Sequence, residues 1–139
     1  MATAIDSAID LAIDTSALTA ILLGESDAAV LLRAMKRASR IGLCAPNRTE
    51  LLLVMQARLG DAGVDKAKQF LAWEQVHTIP LDEALADLAA DAYRRFGKGR
   101  HPAGLNFGDC FSYALGIRDR VPLLFKGNDF SRTDIHIAR

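Results

Sequence analysis

Four short apolar stretches, at residues 11–13, 41–45, 76–79 and 121–125, are separated by segments whose apolar residues recur every three to four positions. That alternation is the tightest constraint on what the chain can fold into. A short apolar run bounded by turn residues fits a strand covered on both faces, and the intervening segments fit the helices that would cover it. Strands alternating with helices, with no Asn-Gly hairpin between them, predict a three-layer α/β/α sandwich around a small, mainly parallel sheet. With 139 residues, half of them hydrophobic, one domain can bury such a core without staples. Residues 11–139 read as that domain and residues 1–10 as a short N-terminal extension.

Local signals place the breaks. Residues 17–23 form a helix ended by Gly24, and Ser26 is expected to cap the next, on which Val30, Leu31, Ala34, Met35 and Ala38 share a face. Pro46 hands the second strand to a helix over about 47–59, apolar on nearly all sides from Leu51 to Met55 and so expected to be deeply packed; Gly60 ends it. A further helix over 64–75 turns Ala67, Phe70 and Leu71 inward. Pro80 stops the third strand, and Asp82 caps a helix carrying Leu85, Leu88, Ala89, Ala92, Tyr93 and Phe96. After a glycine-broken loop at 97–104, Asn106 opens a helix with the stripe Phe107, Cys110, Phe111, Ala114 and Leu115. Residues 135–137 read as an edge strand, and Trp73 as a core residue or a partner contact.

Four acids, Asp14, Glu50, Asp109 and Asp129, stand at junctions between these elements. Each has a plain structural use. Asp14 suits an N-cap, Glu50 a first-turn acid on a helix dipole or a salt bridge to Arg48, Asp109 a capping box with Asn106, and Asp129 a turn. Their shared placement argues for more, because ligands of parallel α/β sheets collect outside the carboxyl ends of the strands. Asp134 is a weaker candidate of the same kind. The phrase around Asp6 echoes that around Asp14 but lacks the flanking strand and helix.

Oxygen donors without Cys or His at metal spacing select a hard cation, Mg²⁺ or Mn²⁺, and such ions suit phosphodiester hydrolysis. Arg94, Arg95, Lys98, Arg100 and His101 gather around the loop leading to Asp109, where a nucleic-acid backbone could be drawn in; the alternative is a solvated helix end. Lys plus Arg and Asp plus Glu balance at 17 each, so overall charge favours no polyanionic partner. Cys44 and Cys110 lie in apolar segments and read as core thiols of a reducing compartment. No apolar run reaches membrane-spanning length, which fits a cytoplasmic protein. Ser16 and Ser112 lack a histidine at a triad-like spacing, His77, His101 and His136 form no ligand pattern, and there is no GxGxxG or Walker sequence.

Together, Ile13-Asp14-Thr-Ser-Ala-Leu18, Arg48-Thr-Glu50-Leu, Lys98-Gly-Arg-His-Pro-Ala103, Leu105-Asn-Phe-Gly-Asp109-Cys-Phe-Ser-Tyr-Ala114 and Phe125-Lys-Gly-Asn-Asp129-Phe resemble the PIN-domain ribonucleases, specifically VapC-type toxins. The resemblance runs from about Leu11 to the C-terminus, and the segment before Leu11 departs from the pattern. It implies a Mg²⁺-dependent endoribonuclease with a PIN-like sandwich, often a homodimer, that acts on RNA and is inhibited by a cognate VapB-type antitoxin. Asp14, Glu50 and Asp109 would be the core acids binding metal, Asp129 the fourth and more variable one, with Ser16 and Asn106 as supporting polar groups. The competing readings are a non-catalytic binding module of the same fold and a Mg²⁺ phosphatase acting on small esters.

Overall fold

A computed structural model describes residues 8–138, so Asp6 lies outside the described residues. Strands β1 (Leu11–Ile13), β2 (Ile41–Cys44), β3 (Val76–Ile79) and β4 (Leu123–Leu124) form one sheet in the order β3-β2-β1-β4. Every pairing is parallel, with Leu11 opposite Ile41, Ala12 opposite Leu123, and Ile41 opposite Val76. The connections are made by α1 (Thr15–Leu22), α2 (Ala28–Lys36), α3 (Ala45–Trp73), α4 (Glu83–Phe96) and α5 (Phe107–Asp119).

The strand period of two divides the side chains between layers. Leu11, Ile13, Ile41 and Leu43 join α1, α2 and α3 in one core, while Ala12 and Cys44 join α4 and α5 in the other. On β1 and β2 the residues toward the second layer are small, whereas β4 contributes Leu123. A Cβ on Gly42 would stand 2.7 Å from Ile9 Cδ1 and 3.0 Å from Ile79 Cγ1, so a methyl there would require those side chains to shift. Helix α5 packs against the sheet on this side, and its residues from Asp109 to Gly116 are buried without interruption. Cys44 and Cys110 are buried and unbridged, their thiols pushed up to about 11 by burial. No described helix is long and apolar enough to cross a membrane.

Several expectations need correction. Helix α3 buries one stripe, Asn47, Leu51 and Met55, and leaves Leu53 on the far side 65% exposed. Phe107, the first residue of α5, projects past the core and is 76% exposed, so the buried stripe begins later. Trp73 is 84% exposed at the end of α3, which removes the core reading. Asp27, not Ser26, precedes α2, and it makes no side-chain cap. The fourth strand is only two residues long, and the segment at 135–137 adds a single bridge, Ile137 to Leu123.

The two helices expected around Gly60 abut within α3, with a break at Gly60 (φ 68°, ψ −156°), a backbone region open essentially to glycine. Beyond the break the chain runs close to the preceding helix, and a Cβ on Gly63 would fall 2.5 Å from the Met55 carbonyl oxygen. Gly60→Ala and Gly63→Ala are each expected to destabilise the protein by about 1–3 kcal/mol, the first through backbone strain and the second through overpacking, read by urea unfolding. An unchanged midpoint for both would show that α3 tolerates a straight course.

Candidate active site

Asp14 leaves the end of β1 with its N–H bonded to the Leu124 carbonyl at 2.9 Å and becomes the N-cap of α1. Its Oδ2 accepts from the Ser16 N–H at 3.0 Å, while Oδ1 accepts from the Ser112 hydroxyl of α5. The carboxylate is only 4% exposed. Asp109 is held by the capping box: Asn106 Oδ1 accepts from the Asp109 N–H at 2.9 Å, and Asp109 Oδ2 accepts from the Asn106 N–H at 3.0 Å. Capping and convergence on a rim are thus compatible uses of both acids.

Glu50 comes from the first turns of α3. Asn47, fully buried one turn earlier, donates from Nδ2 to the Gly108 carbonyl at 2.9 Å and reaches Glu50 Oε1 at 3.5 Å. Gly108 leaves room for the Glu50 carboxylate, because a Cβ on it would lie 2.6 Å from Glu50 Oε2. Asp129 opens a 3₁₀ turn, Asp129–Arg132, after β4 and is exposed. Asp14, Glu50, Asp109 and Asp129 line one open cavity of about 340 Å³, together with Ser16 and Asn106.

The charges in that cavity oppose one another. Burial raises the Asp109 carboxyl to about 7; the Asn106 hydrogen bond counters this, and the negative charges of Asp14, Asp129 and Glu50 add to the rise. Asp14 is raised by burial as well, against the pull of Ser112 and Ser16 and with a further push from Glu50. Among the described residues, no three His, Cys, Asp or Glu side chains stand at ligand spacing to one another. The donor set still fits a hard divalent cation: it is all oxygen, and its negative charge is in excess.

Other candidates fall elsewhere. Asp134 accepts from Tyr113 Oη and from Arg95 at 3.4 Å, which ties the C-terminal segment to α5 and α4 and away from the cavity. Lys98, Arg100 and His101 occupy the loop before α5 and do not line the cavity; His101 Nδ1 accepts from the Ala103 N–H at 3.0 Å and its ring meets Phe96 edge-on at 5.1 Å. Four contributors were missed in the sequence: Asn47, Ser112, Glu25 and Lys126. The first two had a signal, each lying three residues from a candidate acid on a helix. Beside the acids runs an apolar groove of about 590 Å³, which Leu53, Val54, Phe107 and Phe111 line and which shares Glu50 with the cavity.

The PIN domain family model matches residues 11–136 of the chain. Ribonuclease VapC of Mycolicibacterium smegmatis is 45% identical over 123 residues, covering 88% of this chain and 95% of that protein. Ribonuclease VapC30 of Mycobacterium tuberculosis is 44% identical over 123 residues, covering 88% and 94%. Two solved structures share the fold at low identity. VapC20 of Mycobacterium tuberculosis, a Sarcin-Ricin loop cleaving toxin, superposes with a TM-score of 0.76 at 17% identity, covering 93% of this chain and 98% of that one. VapBC2 from Rickettsia felis, bound to a DNA fragment from its promoter, superposes with a TM-score of 0.71 at 13% identity, covering 93% and 96%.

The Asp109 carboxyl has its ordinary value of 3.8 in the unfolded chain and about 7 in the folded one. The folded state therefore holds the proton more tightly, and this contribution to stability, complete below the lower value, is lost as pH rises through the upper one. In protein stripped of divalent metal, the melting temperature is expected to fall between about pH 4 and pH 7. Asp109→Asn should flatten that fall, and an equal slope in both proteins would exclude Asp109 as its source.

Proposed function

Because the chain belongs to the PIN-domain family and, within it, to the VapC ribonucleases, we propose that it is the toxin of a toxin–antitoxin pair, an endoribonuclease that hydrolyses RNA phosphodiester bonds at the acid cavity. One observation carries the assignment of the site: Asp14 and Asp109, almost fully buried, share a cavity with Glu50 and Asp129 and carry more negative charge than it offsets. Burying carboxylates side by side raises their pKa and costs stability, so a cluster of this kind is expected where charge is used.

The cofactor is a divalent metal ion. Mg²⁺ is the proposed ion, with Mn²⁺ able to replace it, and Asp14, Glu50, Asp109 and Asp129 would hold it. Such an ion polarises a phosphoryl oxygen and lowers the pKa of a bound water. The protein's part is to fix the oxygens. Ser112 and the Ser16 N–H set the direction of the Asp14 carboxylate, Asn106 orients Asp109, and Asn47 steers Glu50. Ser16 also accepts from the Lys126 N–H at 3.0 Å, which fastens the loop after β4 to the first turn of α1.

The substrate is RNA, with Lys98, Arg100 and His101 as outer contacts to its backbone. The inhibitor is a cognate VapB-type antitoxin. Exposed Leu53 and Phe107 beside the cavity support a homodimer. The protein acts in the cytoplasm, as a single domain over 11–139 preceded by the short segment 1–10.

Asp14→Asn and Asp109→Asn are expected to lower RNA cleavage by about 10²-fold or more while leaving the circular dichroism spectrum unchanged. Cleavage by the unaltered protein should stop on chelation and return with Mg²⁺. Undiminished cleavage by the folded variants would overturn the assignment of the site.

A further inference from the structure

The acid cavity has an electrostatic difficulty that its carboxylates alone leave unsolved. Asp14, Glu25, Glu50, Asp109 and Asp129 all line it, and a nucleic-acid phosphate approaching them is repelled. Among the described residues that line it, Lys126 is the one carrying positive charge. Its backbone is fixed, through the bond from its N–H to Ser16 Oγ, two residues along from Asp14. Its side chain is committed to none of Asp14, Glu50, Asp109 and Asp129. The ammonium is paired instead with Glu25, on the loop between α1 and α2, and stands 3.4 Å from Asp27.

That pairing joins two loops across the rim, each turning at a glycine with positive φ, Gly24 at 66° and Gly127 at 95°. All three side chains are about one-third exposed, at 36% for Lys126, 35% for Glu25 and 38% for Asp27. Ion pairs so open to water add little to stability, so the fold has little to gain from this one. A lysine is a point charge on a flexible stem, able to change partners without moving its backbone.

On the reading that the cavity cleaves RNA, we propose that Lys126 is the phosphate-contacting residue of the site, and that Glu25 and Asp27 position it on the rim until an RNA phosphate takes their place. The exchange breaks the Lys126–Glu25 ion pair and forms one between the ammonium and a phosphate oxygen. Charge balance holds, because the freed carboxylates return to water. The basic residues 98, 100 and 101 cannot substitute, since they stand outside the cavity.

The test is fluorescence anisotropy of a short, fluorescein-labelled, random-sequence single-stranded RNA, with Ca²⁺ present, between about 50 and 200 mM salt. Lys126→Gln is expected to bind several-fold more weakly at the lower salt, and to lower the slope of log affinity against log salt by about 0.7, the value for one phosphate contact on a single strand. Lys126→Arg should keep the slope. Glu25→Gln, which frees the ammonium, should bind several-fold more tightly. Lys126→Gln with unaltered affinity and slope would overturn the proposal, as would Glu25→Gln binding as weakly as Lys126→Gln, which would mark the pair as a loop fastener only. Wild-type protein that neither binds nor cleaves RNA would overturn the ribonuclease reading and this one with it. Wild-type cleavage alongside an unaffected Lys126→Gln would sink this one alone.

Discussion

Asp109 through Gly116 are buried without a break because α5 is pressed between α4 and the sheet, and the acid cavity is assembled through that helix. Small residues stand at the contact: Ala12 on the sheet presents only a methyl to that layer, and Gly108 at the helix start leaves room for the Glu50 carboxylate. From this position α5 supplies Asp109 itself, the Ser112 hydroxyl that holds Asp14, and the Gly108 carbonyl that anchors Asn47 beneath Glu50. Loosening α5 would disturb three of the four acids together. The tight packing therefore serves the geometry of the cavity as much as the stability of the core.

The cavity also has an energetic cost, which its neighbours only partly offset. Hydrogen bonds from Ser16, Ser112 and Asn106 favour the charged carboxylates, yet burial and mutual repulsion still raise Asp14 and Asp109. The result is a pair of carboxyls that hold their protons to higher pH than an exposed acid does. Helix capping contributes at the same time, since Asp14 and Asn106 each satisfy N–H groups at a helix start. One set of side chains thus begins the helices and aims the carboxylates, which keeps the acids rigid without separate supports.

The family likeness and the geometry bear on different questions. Identity near 45% over most of the chain places the protein among the VapC ribonucleases. The structure adds how this chain's own residues meet: an exposed Asp129 on a 3₁₀ turn, a fully buried Asn47, and a rim lysine paired with Glu25. The apolar groove of Leu53 and Phe107 lies next to Glu50, on the same side of the molecule as the acid cavity. A segment seated in that groove would stand beside the acids.

Short-range order was legible in the chain itself. The alternation of apolar runs and helical periods announced a parallel α/β sandwich, the Asp14 and Asp82 caps and the Asn106–Asp109 box marked helix starts, and Gly60 marked a break. Each of these is set by backbone hydrogen bonding or backbone freedom within a few residues, so local sequence determines it. The exposure of Leu53 and Phe107 was not legible, because apolar residues on all sides of a helix do not say which side meets the sheet. Nor were the bond from Ser112 to Asp14, 98 residues apart, or the pairing of Lys126 with Glu25, 101 residues apart. Strand order and the depth at which α5 packs decide those contacts, and both depend on the whole core closing at once. The sequence by itself determined which residues begin and end the elements and which acids stand at their junctions; only the tertiary structure decided which of those acids share a cavity and which cation faces them.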